Sequence, residues 1–71
     1  MEVNGYKIEP YANLAKADLS GADLSDANLD GANMTGADLT GANLTGADVT
    51  GSNLEGAKLT GATMPDGTIH D

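Results

Sequence analysis

The sequence contains no cysteine, no phenylalanine and no tryptophan. Without cysteine, neither a disulfide framework nor a zinc site with thiolate ligands can form. Large aliphatic residues are also scarce, since Leu, Ile and Val together make up 12 of the 71 residues. Only three residues are basic against 11 acidic ones, which gives a net charge of −8. A chain this short, acidic and poor in apolar residues has the composition of a disordered tail.

The same absences restrict where the protein works and what it binds. No apolar run is long enough for a transmembrane helix, and Met1 is followed by Glu2 rather than by the start of a signal peptide. We therefore expect a cytoplasmic protein without a membrane partner. A net charge of −8 repels phosphate groups, so direct binding of nucleic acid is not expected either.

The order of the residues contradicts disorder, because the chain repeats every five residues from Ala12 to Met64 without an insertion. Each repeat contains a small residue, a polar residue that is mostly Asn or Asp, a large apolar residue, and two further residues that often read Thr-Gly. A degenerate last repeat has Gly67 at the small position. We expect the large apolar residues to form the core: Leu14, Leu19, Leu24, Leu29, Met34, Leu39, Leu44, Val49, Leu54, Leu59, Met64 and Ile69.

A period of five residues fits neither a helix nor one long strand. On a helix, the apolar positions would spiral around every face, and in a continuous strand they would alternate between opposite faces. The small-polar-apolar triplet does suit a very short strand, and the two residues after it are turn formers. Short strands joined by corners let every apolar residue point to one axis, which predicts a β-solenoid.

These repeats resemble those of the pentapeptide-repeat proteins, whose consensus is A-(D/N)-L-x-x, over residues 12–69. The resemblance implies a mainly β fold, a right-handed quadrilateral parallel β-helix with four pentapeptides in each coil. The apolar and small residues would face inward and the other three positions would face water. Twelve repeats then make about three coils.

The two ends of the chain need separate treatment. We divide it into an N-terminal capping arm or hairpin, residues 1–11, and the β-helix, residues 12–71. Asn4-Gly5 favours a two-residue hairpin turn, in which Val3 would face Tyr6 and Glu2 would face Lys7. We expect Tyr6 and Tyr11 to pack near this cap. The alternative is an exposed turn within an irregular leader.

We expect no capping helix at the C-terminal end of the solenoid. Either Pro65 and the Asp66-Gly67 turn close it, or another molecule covers it. Because an exposed edge of unpaired backbone recruits partners, homo-oligomer formation through the C-terminal end is a hypothesis.

No residues support catalysis, a cofactor or a metal site. The one histidine, His70, is next to the last residue, and no nucleophile has a base placed beside it by the sequence. The segment from Asp26 to Gly31 matches the first half of a calcium loop, but alanine stands where the bidentate glutamate belongs. The repeat register also requires Ala27 and Leu29 inside, so Asp26 and Asp30 are interpreted as corner residues.

The remaining candidate is the acidic surface. If the four repeats of each coil form four walls, numbered from the first repeat, the third and fourth walls carry acids but no lysine. Acids stacked on one another from coil to coil would destabilise these walls. Their acids form the candidate interaction surface: Asp23, Asp26, Asp30, Asp48, Asp66 and Asp71. These acids serve either a partner or solubility alone.

Two functions follow from this surface. The first is a non-enzymatic scaffold, a small structural or protein–protein interaction module whose protein partner the sequence does not name, and which could be an accessory subunit of a larger assembly. The second is implied by the resemblance alone, because some pentapeptide-repeat proteins mimic DNA and bind DNA gyrase and related type II topoisomerases. In that alternative the chain would occupy the DNA-binding groove of such an enzyme.

Overall fold

A computed structural model describes all residues from 1 to 71, and a ladder of parallel bridges organises its backbone. Each parallel bridge joins residues twenty positions apart, so the chain completes one coil every twenty residues. The first coil comprises residues 12–31, the second residues 32–51 and the third residues 52–66. The columns of bridged residues define four walls: Asn13, Asn33 and Asn53 on wall one, Asp18, Asp38 and Lys58 on wall two, Asp23, Asn43 and Thr63 on wall three, and Asn28 and Asp48 on wall four.

Each corner between walls is a β-turn. The amide of Ala17 donates to the carbonyl of Leu14 at 3.0 Å, and the equivalent bond recurs at the corners that follow. The residue just before each such alanine has a positive φ, for example 69° at Gly41. Glycine adopts this conformation easily because it has no Cβ. The five-residue period is therefore a short extended segment followed by a two-residue corner.

Backbone hydrogen bonds join each coil to the next. The amide of Leu14 donates to the carbonyl of Asn33 at 2.7 Å, and the amide of Asn33 donates to the carbonyl of Ala12 at 2.9 Å. A third bond, from the Lys16 amide to the Thr35 carbonyl at 2.8 Å, lies next to the corner. The pattern joins the first coil to the second on all four walls and the second to the third on walls one to three, so the backbone groups between these coils are satisfied.

The core is one cluster of apolar side chains that point inward from the four walls. In the first two coils the alanines at the small position pack around these side chains, with Ala32, Ala37 and Ala42 at 0% exposure. Burial falls towards the C-terminal end, where Val49, Leu54, Leu59 and Met64 are half-buried. Seven large side chains are at most 2% exposed: Leu14, Leu19, Leu24, Leu29, Met34, Leu39 and Leu44.

The prediction that Ile69 completes the core is wrong, because its side chain is 63% exposed. The chain reverses after Met64, and Ile69 pairs antiparallel with Thr63 instead of continuing onto wall four. Gly67, with a φ of 89°, follows Pro65 and Asp66, and this Pro-Asp-Gly order favours a hairpin loop made of a type I turn and a left-handed residue. The local loop signal therefore overrides the five-residue period.

The N-terminal segment forms an antiparallel hairpin of two strands, β1 (Glu2–Val3) and β2 (Tyr6–Lys7). Glu2 is opposite Lys7 and Val3 is opposite Tyr6, and both turn residues have positive φ, 53° at Asn4 and 85° at Gly5. Ile8 is buried at 4% exposure, and Val3 and Tyr6 pack against the same core. The apolar side of the hairpin thus lies on the first coil.

No helix of the protein is long and apolar enough to cross a lipid bilayer.

Candidate interaction surface

The outward Asn and Asp side chains stabilise the corners that follow them. Oδ1 of Asn33 accepts the Thr35 amide at 3.1 Å and the Thr35 hydroxyl at 2.6 Å. Asn and Asp both offer this oxygen, which explains why either residue occupies the position. Ten side chains accept the backbone amide of the residue two positions later through Oδ1: Asn13, Asp18, Asp23, Asn28, Asn33, Asp38, Asn43, Asp48, Asn53 and Asp66.

These hydrogen bonds also keep several carboxylates ionised. The hydroxyl and then the amide of Ser25 lower the pKa of Asp23, because both groups donate to the ionised form. Thr68 lowers the pKa of Asp66 in the same way. The pKa values of Asp38 and Asp48 are likewise lowered by the threonines two residues after them. Hydrogen bonds to the next corner therefore favour the ionised form of these four carboxylates.

The third and fourth walls carry acids that are not stacked on one another. Asp23 is exposed on wall three with Asn43 as its ladder partner, and Asp48 is exposed on wall four with Asn28 as its partner. The ladder contains one acid-on-acid rung, between Asp18 and Asp38 on wall two. The predicted repulsion between stacked acids is therefore absent from the bridges of walls three and four, which weakens the argument that their charge must serve a function.

The other four acids of the surface occupy corners and the C-terminal segment. The carboxylate of Asp26 lies against Gly46 in the next coil, and that of half-buried Asp30 lies near Gly51. Asp66 occupies the reversing loop and Asp71 is the exposed last residue. No three acidic or histidine side chains lie close enough together to hold a metal ion.

The first coil differs from the others at its corners. Tyr11, at the corner that leads into the first coil, and the corner residues Lys16 and Asp26 have φ values of 63°, 60° and 60°, whereas glycines occupy the positions twenty residues later. The side chains of all three lie over those glycines: Tyr11 over Gly31, Lys16 over Gly36 and Asp26 over Gly46. Tyr11, expected to pack near the cap, is instead 76% exposed, with its ring against Gly31.

Two side chains of the N-terminal hairpin bind wall two in a way that the sequence did not indicate. The hydroxyl of Tyr6 accepts the amide of Asp18 at 3.4 Å, and Nδ2 of Asn4 donates to the carbonyl of Asp18 at 3.3 Å. Together they replace the two backbone partners that a preceding coil would provide. Hairpin periodicity predicts which side chains face the core, but it carries no signal for these two contacts.

A family model for pentapeptide repeats matches residues 11–46 and 37–66, in eight copies. The chain is a pentapeptide-repeat protein. The resemblance noted from the repeats is thus confirmed, and so is the β-helix, since proteins of this family fold as right-handed β-helices. Among curated protein sequences, none matches the chain.

Two solved structures of pentapeptide-repeat proteins are similar to the chain. HetL from the cyanobacterium Nostoc sp. strain PCC 7120, involved in the regulation of heterocyst differentiation, is 42% identical with a TM-score of 0.71 over 86% of this chain. Rfr23 from the cyanobacterium Cyanothece 51142 is 43% identical with a TM-score of 0.50 over 87% of this chain. The chain spans 33% of HetL and 46% of Rfr23, so both relatives are considerably longer.

Proposed function

We propose that this pentapeptide-repeat protein is a non-enzymatic interaction module that presents the acidic third and fourth walls to a basic surface of a protein partner. The observation that carries this proposal is that ten outward Asn and Asp side chains are each held by a hydrogen bond from the amide two residues later. Because these polar groups are already ordered, little side-chain entropy is lost when a partner docks on them.

The charge distribution supports a basic partner. Asp23, Asp48 and Asp66 are exposed, and hydrogen bonds lower the pKa of each, so they carry negative charge at neutral pH. The chain's three lysines lie on the hairpin and on walls one and two. Members of this family generally act as scaffolds without catalysis, which agrees with this role.

The test uses substitutions that remove charge without removing the corner bonds. Asp23→Asn/Asp48→Asn neutralises two acids of walls three and four, and Asp18→Asn/Asp38→Asn neutralises two on wall two. Asn already makes the same bond at Asn33 and Asn43, so both variants should fold.

Wild type and both variants are immobilised and exposed to host lysate. The proposal requires a protein that wild type and Asp18→Asn/Asp38→Asn retain but Asp23→Asn/Asp48→Asn loses, with weaker binding at higher salt. Equal loss with both variants would mean that total charge matters rather than walls three and four. Equal retention by all three would place the binding surface elsewhere.

A second candidate function is the occupation of a DNA-binding groove, such as that of DNA gyrase. It is favoured by the spread of ionised carboxylates over a body only 25 × 21 × 20 Å in extent. A DNA mimic must compete with DNA and weaken steeply with salt. Absence of gyrase inhibition at micromolar protein and low salt would exclude that enzyme as the target.

A further inference from the structure

The C-terminal edge of the solenoid exposes a row of backbone groups without partners. Across walls four, one and two, five amides donate to nothing within the chain, and three carbonyls between them accept nothing. The amides are those of Val49, Gly51, Leu54, Gly56 and Leu59, and the carbonyls are those of Ala47, Ser52 and Ala57. The equivalent groups twenty residues earlier bind the next coil; for example, the Met34 amide donates to the Asn53 carbonyl at 2.8 Å.

The opposite edge of the first coil offers the complementary groups. On wall one, the carbonyls of Asn13 and Ala15 and the amide of Asn13 have no partner. If a second copy continued the solenoid in the same register, its Asn13 carbonyl would accept the Leu54 amide. Its Ala15 carbonyl would accept the Gly56 amide, and its Asn13 amide would donate to the Ser52 carbonyl. On wall one, the unpaired backbone groups at the C-terminal edge of one copy therefore match those of the first coil of the next copy without a change in the backbone of either.

The charges at the two ends also match. Within the chain, wall two stacks Asp18 on Asp38 and Asp38 on Lys58. In the continued register, Lys58 becomes the ladder partner of Asp18 in the second copy, which creates an opposite-charge rung. On wall one, Asn53 would have Asn13 of the second copy as its ladder partner, just as Asn13 has Asn33 within the chain.

Two short segments of the chain occupy the positions that a second copy needs. The hairpin binds the amide and the carbonyl of Asp18 through Tyr6 and Asn4. The tail, residues 68–71, binds the third coil on wall three, where the His70 amide donates to the Ala62 carbonyl at 2.8 Å and the Met64 amide donates to the Thr68 carbonyl at 2.7 Å. A following coil would use the same Ala62 and Met64 groups, so each segment competes with a second copy.

We propose that copies of this chain stack head to tail, first coil on third coil, when the hairpin and the tail are displaced. The hairpin covers the core and wall two of the first coil, and the tail covers wall three of the third coil, so both segments oppose the association. The interface is heterologous and does not close, so the product is an open filament rather than a dimer. This self-association is independent of the partner proposed above, because it uses the backbone edges at the two ends of the solenoid and not the outward carboxylates of walls three and four.

The test weakens both segments and measures mass. Asn4→Ala/Tyr6→Phe removes the two bonds to Asp18, and Gly67→Pro breaks the reversing loop, because proline cannot adopt a φ of 89°. The combined variant, confirmed as folded by circular dichroism, is compared with wild type by sedimentation equilibrium. We expect a wild-type mass near 7.1 kDa and a variant that forms a series of larger species, with association at least about tenfold tighter. Salt should strengthen it, since each copy carries −8.

A charge swap tests the register. Lys58→Asp in the released variant should weaken association, and adding Asp18→Lys should restore it. A folded released variant that stays at 7.1 kDa at about 1 mM and high salt overturns the proposal. So does a variant that stops at a dimer, or one that associates no more tightly than wild type.

If the released variant does not fold, wild type provides the second measurement. Amide exchange at Leu54 should slow as the concentration of wild type is raised to about 1 mM, and Lys58→Asp should reduce this slowing. Exchange at Leu54 that does not depend on concentration overturns the proposal.

Discussion

The first and third coils are built from the same five-residue unit, but their surroundings differ. Leu14, Leu19 and Leu24 of the first coil are at most 2% exposed, under the hairpin and on the second coil. Leu54, Leu59 and Met64 of the third coil are half-buried, and the amides of Leu54 and Leu59 have no partner. A unit that cannot bury its own core depends on the coil stacked on each side. Stability should therefore fall from the middle of the solenoid towards its C-terminal end.

The largest effect should come from a charge in the middle of the stack. Leu39 is at 0% exposure, and Leu39→Asp would bury a carboxylate without a partner. That change costs several kcal/mol, and a chain of this size has only about 3–5 kcal/mol of stability. We expect a chain without β-sheet signal in circular dichroism. Thr40→Asp, one residue on and facing water, is the control and should remain folded.

Truncation to alanine compares the two coils directly. Leu39→Ala should lower the free energy of unfolding by about 3 kcal/mol, because it opens a closed cavity. Leu59→Ala, in the same column but half-buried, should lower it by only about 1 kcal/mol. Urea denaturation measures both values. Equal losses would show that the third coil is as well packed as the second.

Corner glycines provide the next comparison. A Cβ at Gly46 would overlap the Asp26 carboxylate, whereas a Cβ at Gly41 would meet nothing within 4 Å. Both have φ near 70°, so each alanine costs about 1–2 kcal/mol in backbone strain. We expect Gly46→Ala to destabilise more than Gly41→Ala. Adding Asp26→Gly should remove the difference, and a difference that persists would mean that Asp26 is not its cause.

Replacing a non-glycine corner residue of the first coil with glycine should increase stability. Lys16 has a φ of 60°, a conformation that disfavours any residue with a Cβ. Lys16→Gly should raise the free energy of unfolding by up to about 1 kcal/mol, measured from the urea midpoint. No gain would show that packing of the Lys16 side chain on Gly36 offsets the strain.

The smallest effect should be on pH dependence. Folding lowers the pKa of Asp23 and Asp66, so their contribution to stability is complete above the ordinary value of 3.8 and is lost as the pH falls through the folded pKa. Urea midpoints measured from about pH 6 to pH 2 should therefore fall less steeply for Asp23→Asn/Asp66→Asn than for wild type. Parallel curves would contradict the assigned role of these bonds.

The sequence predicted the regular part of the molecule and failed where a local signal competed with the repeat. Uniform spacing identified the inward positions, and Asn4-Gly5 predicted the hairpin register that the structure has. Ile69 was assigned to the core by extending the period, although Pro65-Asp66-Gly67 favours reversal. The contacts of Asn4 and Tyr6 with Asp18 depend on how the hairpin lies on the coil, which no local pattern encodes.

The same reasoning explains what was missed on the acidic surface. Six acids could be assigned to walls three and four from the repeat register alone. Whether they stack depends on which residue stands twenty positions away, and Asp23 and Asp48 prove to have Asn43 and Asn28 as partners. Asp66 and Asp71 were assigned by the same period that failed at Ile69, so their positions follow the reversed segment instead.

Native-state hydrogen exchange tests most directly the claim that the solenoid is closed at its middle and open at its C-terminal end. The amides of Met34, Leu39 and Leu44 donate to the third coil at 2.8 Å and should exchange only when the third coil or the whole chain unfolds. Those of Leu54 and Leu59 have no acceptor and should exchange within the dead time of the experiment in a dilute sample. Equal protection of both sets would contradict the account.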